Sequence, residues 1–452
     1  MMAAMLVRCR RPGPPLLFAA LLATGCGDIT TISPDATPAD AEPDLPEVGT
    51  VTLDLHSPFD GAEGPVAGAD VLVLRPDGTV IAETTTDDEG IATVDEVPAG
   101  SIMLIALEIV AGAPGSVTIA VYDLQPGDDI RFRGEAANGD FLGSMDVNLP
   151  THPDTPASYV VASGCGSSTD SDTSVPVSFS AACVIDDDAD VLAWARDADQ
   201  GVLGFLSAQR PFVSPGTMDL TGLTWSAPQT IALEVHAIPS QAGAIAVRAE
   251  QVLDLRTYGN IVETPFQSTD SADLSFDIPR PASFGDSTLV ELSLRANQSG
   301  LGEQQVSTRV APEDDELDVL LEDGLLPWYG GTAYSIEDRV VTWSRTSGDD
   351  PDGHYLLLVW EEESDGSTGG WFAISPPDWT ELRLPPLPDG WEERQPREPA
   401  SVEAALFAAE SSEVDGWDGA RQRGFDLVFD DTIIRAAPGT VMRRSVSAGG
   451  DL

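Results

Sequence analysis

The chain has 452 residues, with 75 acidic against 23 basic and a formal net charge of −52, and every basic residue is arginine. That length accommodates about three domains of ordinary size. The charge repels nucleic acid and anionic lipid surfaces, so neither is an expected partner, and without lysine there is no phosphate-gripping or Schiff-base lysine.

Arg8, Arg10 and Arg11 precede an apolar run over residues 16–23, which ends in Thr24-Gly25-Cys26. This is the layout of an export signal cut just before Cys26. The run is shorter than the roughly 20 residues that span a bilayer. Leu21-Leu22-Ala23-Thr24-Gly25-Cys26 resembles the lipobox of bacterial lipoproteins, with Ala23 standing where that family carries Leu. The resemblance implies a signal peptide over 1–25, acyl chains on Cys26 and a membrane partner reached through that anchor. The expected location is the bacterial outer membrane, facing the periplasm or the surface. An ordinary secretory signal with a chance cysteine is the competing reading. Residues 26–48 are rich in Pro, Asp and Glu with few large apolar groups, and such composition reads as a disordered tether.

From residue 51 the pattern alternates, with Val51, Leu53 and Leu55 on one face and Thr52, Asp54 and His56 on the other. Val71 and Val73 repeat it, and Arg75-Pro76-Asp77-Gly78 turns the chain into residues 79–83. Period two with Pro-Asp-Gly turn chemistry predicts hairpins. Pro65-Val66-Ala67-Gly68-Ala69-Asp70-Val71, Thr86-Asp87-Asp88-Glu89-Gly90 and Val97-Pro98-Ala99-Gly100 resemble the carboxypeptidase-regulatory-like, or transthyretin-like, β-sandwich over about residues 50–108. The resemblance implies a module that binds or spaces and brings no catalytic residues. Asp87 and Asp88 fit an Asx-type turn better than a calcium site. Short strands over 117–121, 129–133 and 145–149 either complete this sandwich or bridge to the next, giving a first region over 49–150.

A second region, 151–315, holds Cys165 and Cys183, the two cysteines left once Cys9 and Cys26 are set aside. In an export compartment such a pair predicts a disulfide, here closing a unit around the Ser/Thr/Asp-rich residues 166–174. Residues 191–195 and 202–206 read as strands by length, with helix the alternative for the first. Further strands are expected near 230–236, 244–255, 272–278 and 288–295, and seven or more short strands suggest one sandwich or two.

Glu313-Asp314-Asp315-Glu316 marks a boundary, and 316–452 forms the third region. Trp343, Tyr355 and Leu384-Pro385-Pro386-Leu387-Pro388 resemble a fibronectin type III domain. Residues 425–429 supply a last expected strand, and the Arg, Ser and Gly residues near the C-terminus read as a frayed end. The fold class is therefore all-β, with tandem immunoglobulin-like and transthyretin-like sandwiches behind a signal peptide and tether.

Motifs for catalysis are missing. There is no Gly-x-Ser-x-Gly elbow, His-Glu-x-x-His pair, phosphate loop or dinucleotide fingerprint. His56, His152, His236 and His354 are scattered and read as strand-surface or turn residues. Asp186 and Asp188, and Asp350 and Asp352, are calcium candidates because several hard oxygens converge from one loop, although neither cluster has the EF-hand ligand order. Solvated turns are the competing reading, and no other cofactor is implied. Trp371, Trp379, Trp391 and Trp417 lie in or beside Pro/Gly-rich stretches, where an aromatic face can stack on a sugar or clamp a loop. Trp371 and Trp391 are the ligand-binding candidates. The expected role is a non-catalytic envelope protein for adhesion, scaffolding or ligand presentation, with an envelope protein or polysaccharide as partner. Alternatives are a carbohydrate-binding protein using the Trp-rich region and an enzyme whose site is assembled from distant carboxylates.

Overall fold

The runs Val71-Leu72-Val73-Leu74 and Ile102-Met103-Leu104-Ile105 are buried at every position. Strands covered on both faces read as continuous apolar runs rather than as alternations, and these two lie in the middle layer of a three-layer arrangement. A computed structural model describes residues 48–56, 64–108, 115–132, 141–269, 271–321, 324–362, 366–424, 427 and 431–447. Its central element is a thirteen-stranded mixed sheet. On one face Val71, Val73, Met103 and Ile105 pack against Val51, Leu53, Val94 and Ile130, carried by a three-stranded sheet of Val48–Leu55, Ile91–Pro98 and Asp129–Phe132. On the other face Leu72, Leu74, Ile102 and Leu104 meet Tyr334, Val341 and Leu382, which belong to the sheet of Tyr329–Ser335, Val340–Arg345 and Glu381–Arg383. The alternation read at Val71 and Val73 thus identifies one of two buried faces.

The fold is all-β, as expected, but strand pairing crosses the expected region boundaries. Thr368–Ser375 runs parallel to Gly115–Leu124, with Trp371 opposite Thr118 and Phe372 opposite Ile119. Residues of the first and third expected regions therefore share one sheet. Glu316–Leu320, placed at the start of the third region, pairs in parallel with Gln229–His236 in the second. Backbone pairing is blind to side-chain identity, and an acidic run such as 313–316 marks a turn as readily as a boundary.

The second sandwich packs the five-stranded sheet around Ser158–Ser163 and Asp188–Arg196 on a three-stranded one around Phe141–Asn148 and Ser174–Ser180. Val161, Val191 and Ala193 face Met145, Val147, Val175 and Val177 across its core. Residues 191–195 lie within a strand, as their length suggested. Cys165 and Cys183 are bridged, with Cα atoms 5.6 Å apart and a sequence separation of 18. In the chain-entropy account such a loop contributes about 3 kcal/mol. The Cys165→Ser/Cys183→Ser chain is expected to lose that amount in the urea transition of this sandwich, and an unchanged midpoint would contradict it.

In the third sandwich, Gln229–His236, Leu274–Arg280 and Glu316–Leu320 cover the part of the long sheet formed by Ala242–Leu253, Ser287–Ala296 and Glu303–Val310. Ile231, Leu233 and Val235 pack there against Ile245, Val247, Val290 and Leu292. The end of the chain is not frayed up to Ser447. Val441–Val446 is inserted between Glu303–Val310 and Ala400–Ser411. Both of its edges are hydrogen-bonded, and Arg443 is paired with Glu410 through two contacts of 3.0 and 2.9 Å.

Two short helices, α1 (Gly416–Gln422) and α2 (Asp431–Arg435), lie between those last strands. Ala420, Ile433 and Ile434 close the first core. Arg309 caps α2: its Nη1 donates to the carbonyls of Ile434, at 2.7 Å, and Ala436. A cation at a helix C-terminus satisfies carbonyls that the helix leaves open. Apart from Leu427, the strand expected over 425–429 lies outside the described residues, as do the expected signal, Cys26 and all of the expected tether but Val48. No described helix is long and apolar enough to cross a membrane.

Candidate functional site

The calcium candidates divide between two separate structural roles and an exposed loop. Asp186 and Asp187 have φ of +51° and +66° and form a two-residue turn closed by the pairing of Ile185 with Asp188. A hairpin of this kind needs the left-handed region at both central positions, which Asp tolerates. Asp350 is exposed and 3.4 Å from Arg345. Asp352 is buried, and its Oδ2 accepts the Ser411 backbone N–H at 2.9 Å. Among the described residues no group of three or more His, Cys, Asp or Glu is placed to hold a metal. Asp87 makes the Asx-type turn, accepting the N–H of Glu89 at 3.0 Å and of Ile91 at 2.8 Å.

The tryptophans are structural. Trp371 and Trp391 are core residues, and the Trp371 indole N–H donates to the Arg394 carbonyl. Trp379 is edge-on to Tyr122, with centroids 5.8 Å apart. Trp417 donates to Asp123 Oδ2 at 3.1 Å. The two ligand-binding candidates therefore present no open ring face, since both rings are buried in that core.

Two histidines expected at the surface are buried, His152 and His354. His354 is 2.8 Å from the Tyr329 hydroxyl through Nε2, with the Trp343 ring edge-on at 5.4 Å. Burial, assisted by the Arg345 charge and opposed by the Pro376 carbonyl, lowers its pKa from 6.5 to about 3. Between those values the unfolded chain binds a proton that the folded chain does not. Stability from this group is thus complete above about pH 6.5 and falls as the pH drops toward 3. His354→Gln is expected to flatten the dependence of unfolding free energy on pH across that window, whatever its effect at pH 7. An unaltered slope would contradict this.

The densest buried charge lies where α1 meets the first sandwich. Arg421 is 1% exposed and Asp128 4%. Arg421 Nε and Nη2 donate to the two oxygens of Asp128 at 2.8 and 3.0 Å, and Nη2 also reaches Asp418 at 2.8 Å. Asp128 additionally accepts the Gln125 N–H at 2.7 Å. Burial alone would lower the Arg421 pKa, but the two carboxylates outweigh it and raise it. Asp123 is pushed upward by burial, against the Trp417 hydrogen bond and the Arg421 charge. This is a clasp between residues far apart in sequence, and sequence reading did not single it out.

A cleft of about 210 Å³ lies beside the third sandwich, lined among others by Gln241, Leu321, Leu325, Trp328, Ser347 and Asp349. Among the described residues its lining holds one carboxylate and no His, Cys or Arg.

The molecule is thus an all-β protein in which β-sandwiches share a long sheet and buried charge is spent on joining modules. No protein-family model matches the chain, and no curated protein does. It is similar to the TIE protein of Bacillus anthracis, at 13% identity and a TM-score of 0.14, over 61% of this chain. It spans half the length of that protein. A second similar structure is BcpA, the major pilin subunit of Bacillus cereus, at 10% identity and a TM-score of 0.15, covering 61% of this chain and 99% of that one. At these scores the fold class rests on the chain's own strand pairing.

Proposed function

We propose that this is a lipid-anchored, non-catalytic envelope protein that holds a multi-sandwich body away from the outer membrane for adhesion, scaffolding or ligand presentation. The observation that carries the reading is the thirteen-stranded sheet, which runs through the first sandwich, the third sandwich and the C-terminal region. A shared sheet fixes modules against one another, as presentation at a distance requires, whereas a catalytic body is built around a cleft with convergent polar groups. The buried ions support the same reading, since Arg421 and Arg309 hold α1 and α2 in place. Residues 50–108 add their resemblance to a module that binds or spaces.

Acyl chains on Cys26 supply the anchor, at about 0.8 kcal/mol per buried CH₂. Cys26→Ser is expected to move the processed protein from the membrane fraction to the soluble fraction. Continued partitioning with membranes after signal removal would overturn the anchor.

A further inference from the structure

One end of the second sandwich carries an unusual concentration of exposed large apolar side chains. Phe141 is 70% exposed, Val213 62%, Leu142 42% and Ile185 37%. Three segments bring them to the same end. Phe141 opens its strand opposite Ser180. Ile185 sits in the hairpin whose Asp188 pairs with Pro211. The loop after Pro211 is tied to that hairpin by the Phe212 N–H, which donates to the Asp187 carbonyl at 2.7 Å, and the same loop returns to Gly143 through Ser214.

Phe141 is aimed outward by a register change. Met145 and Val147 on its strand face the core, and Phe141 shares their parity. Strict alternation would bury it. The pairing slips between Phe179 and Ser180, and a bulge of this kind re-aims a side chain. Phe179 and Phe212, chain neighbours of Ser180 and Val213, pack into the core of this sandwich with ring centroids 5.3 Å apart. The disulfided Cys183 holds the segment leading into the hairpin.

Asp186, Asp187 and Asp188 border this patch. Among the described residues a basic neighbour is Arg210, whose Nη1 donates to the Gln209 carbonyl at 2.9 Å. We propose that this end is a docking surface for a basic, apolar-bearing protein segment, in which Leu- or Phe-like side chains meet the patch and Arg or Lys meet the three carboxylates. Apolar patches rimmed by charge mark interaction sites, and complementary charge selects the partner. A second copy of this chain would set carboxylates against carboxylates, and an anionic lipid surface would be repelled. The inference rests on the adhesion reading but not on the anchor.

The test uses the full chain carrying Cys26→Ser, so that no acyl chain takes part, and a labelled peptide alternating Arg and Leu, with its Glu-for-Arg counterpart as control. The expected result is saturable binding of the Arg peptide and none of the Glu peptide. Phe141→Ser/Val213→Ser should weaken the Arg peptide at least tenfold with an unchanged melting temperature. Asp186→Asn/Asp187→Asn keeps a turn that Asn also tolerates and should weaken binding and reduce its salt dependence. No binding, or binding unaffected by the Phe141 and Val213 changes, overturns the proposal. So does Phe141-dependent capture by phosphatidylcholine vesicles, which would assign the patch to a membrane. Phe141-dependent dimerisation in sedimentation would overturn it in favour of a second copy. Loss of membrane anchoring by Cys26→Ser is read separately and bears on the anchor alone.

Discussion

Arg421→Ala lowers the stability of the folded chain by about 3–5 kcal/mol, the range for removing one partner of a buried ion pair. The size follows from what remains. Asp128 is 4% exposed, and without the guanidinium it keeps the Gln125 N–H as its remaining described hydrogen bond. The loss is set by that uncompensated carboxylate more than by the attraction removed. Asp418 adds little, because its side chain is 77% exposed and solvent screens it. Replacing both partners with neutral groups, Arg421→Met with Asp128→Asn, should recover much of the loss. The double variant is then more stable than the sum of the single changes predicts. Arg421→Ala also removes a charge that favours ionised Asp123, so the Asp123 pKa should rise further. Denaturant melts of the unmutated chain, Arg421→Ala, Arg421→Met, Asp128→Asn and the double variant provide the measurement. A single-variant cost below about 1 kcal/mol would show that the pair is solvated rather than buried.

Local chemistry was legible in the sequence. Pro76-Asp77-Gly78 makes its turn, with the Gly78 N–H donating to the Arg75 carbonyl at 2.9 Å and Asp77 accepting from Thr79 at 2.9 Å. The cysteine pair and the alternation from Val51 to Leu55 were equally readable, because each depends on neighbours or on a single pairing. The long sheet was less so. Trp371 lies opposite Thr118, and nothing in either residue selects the other, since the bonds between them are backbone bonds. A signal was nevertheless present in Val71-Leu72-Val73-Leu74, whose unbroken apolar character calls for two covering layers. Gly369 on the strand Thr368–Ser375 is kept small for a close approach, since a Cβ there would lie 2.1 Å from the Trp360 ring. The helix α1 contains Gly416 and Gly419 within seven residues, a composition that propensity alone assigns elsewhere. Its position follows from Arg421 and Ala420, whose partners lie in the first sandwich.

Trp371→Ala tests the same distinction between surface and core at the residue that sequence reading offered to a sugar. Trp371 is 0% exposed, and truncating a buried Trp costs about 3–5 kcal/mol through lost transfer energy and the cavity left behind. The indole N–H also holds the Arg394 carbonyl, at the end of the short 3₁₀ turn Glu392–Arg394. Leaving that acceptor open adds about 1–3 kcal/mol if water does not reach it. Trp371→Phe retains most of the packing and loses the hydrogen bond, so its cost should be much the smaller of the two. The turn that Trp371 holds begins at Trp391, which is buried in the same core. Freeing Arg394 should therefore loosen Trp391 and shift tryptophan emission to the red in the native state, before any unfolding transition. A stacking platform would behave otherwise. Trp371→Ala would then abolish retention on insoluble polysaccharide while leaving the melting temperature and the emission maximum where they were, and that combination would return the residue to the surface.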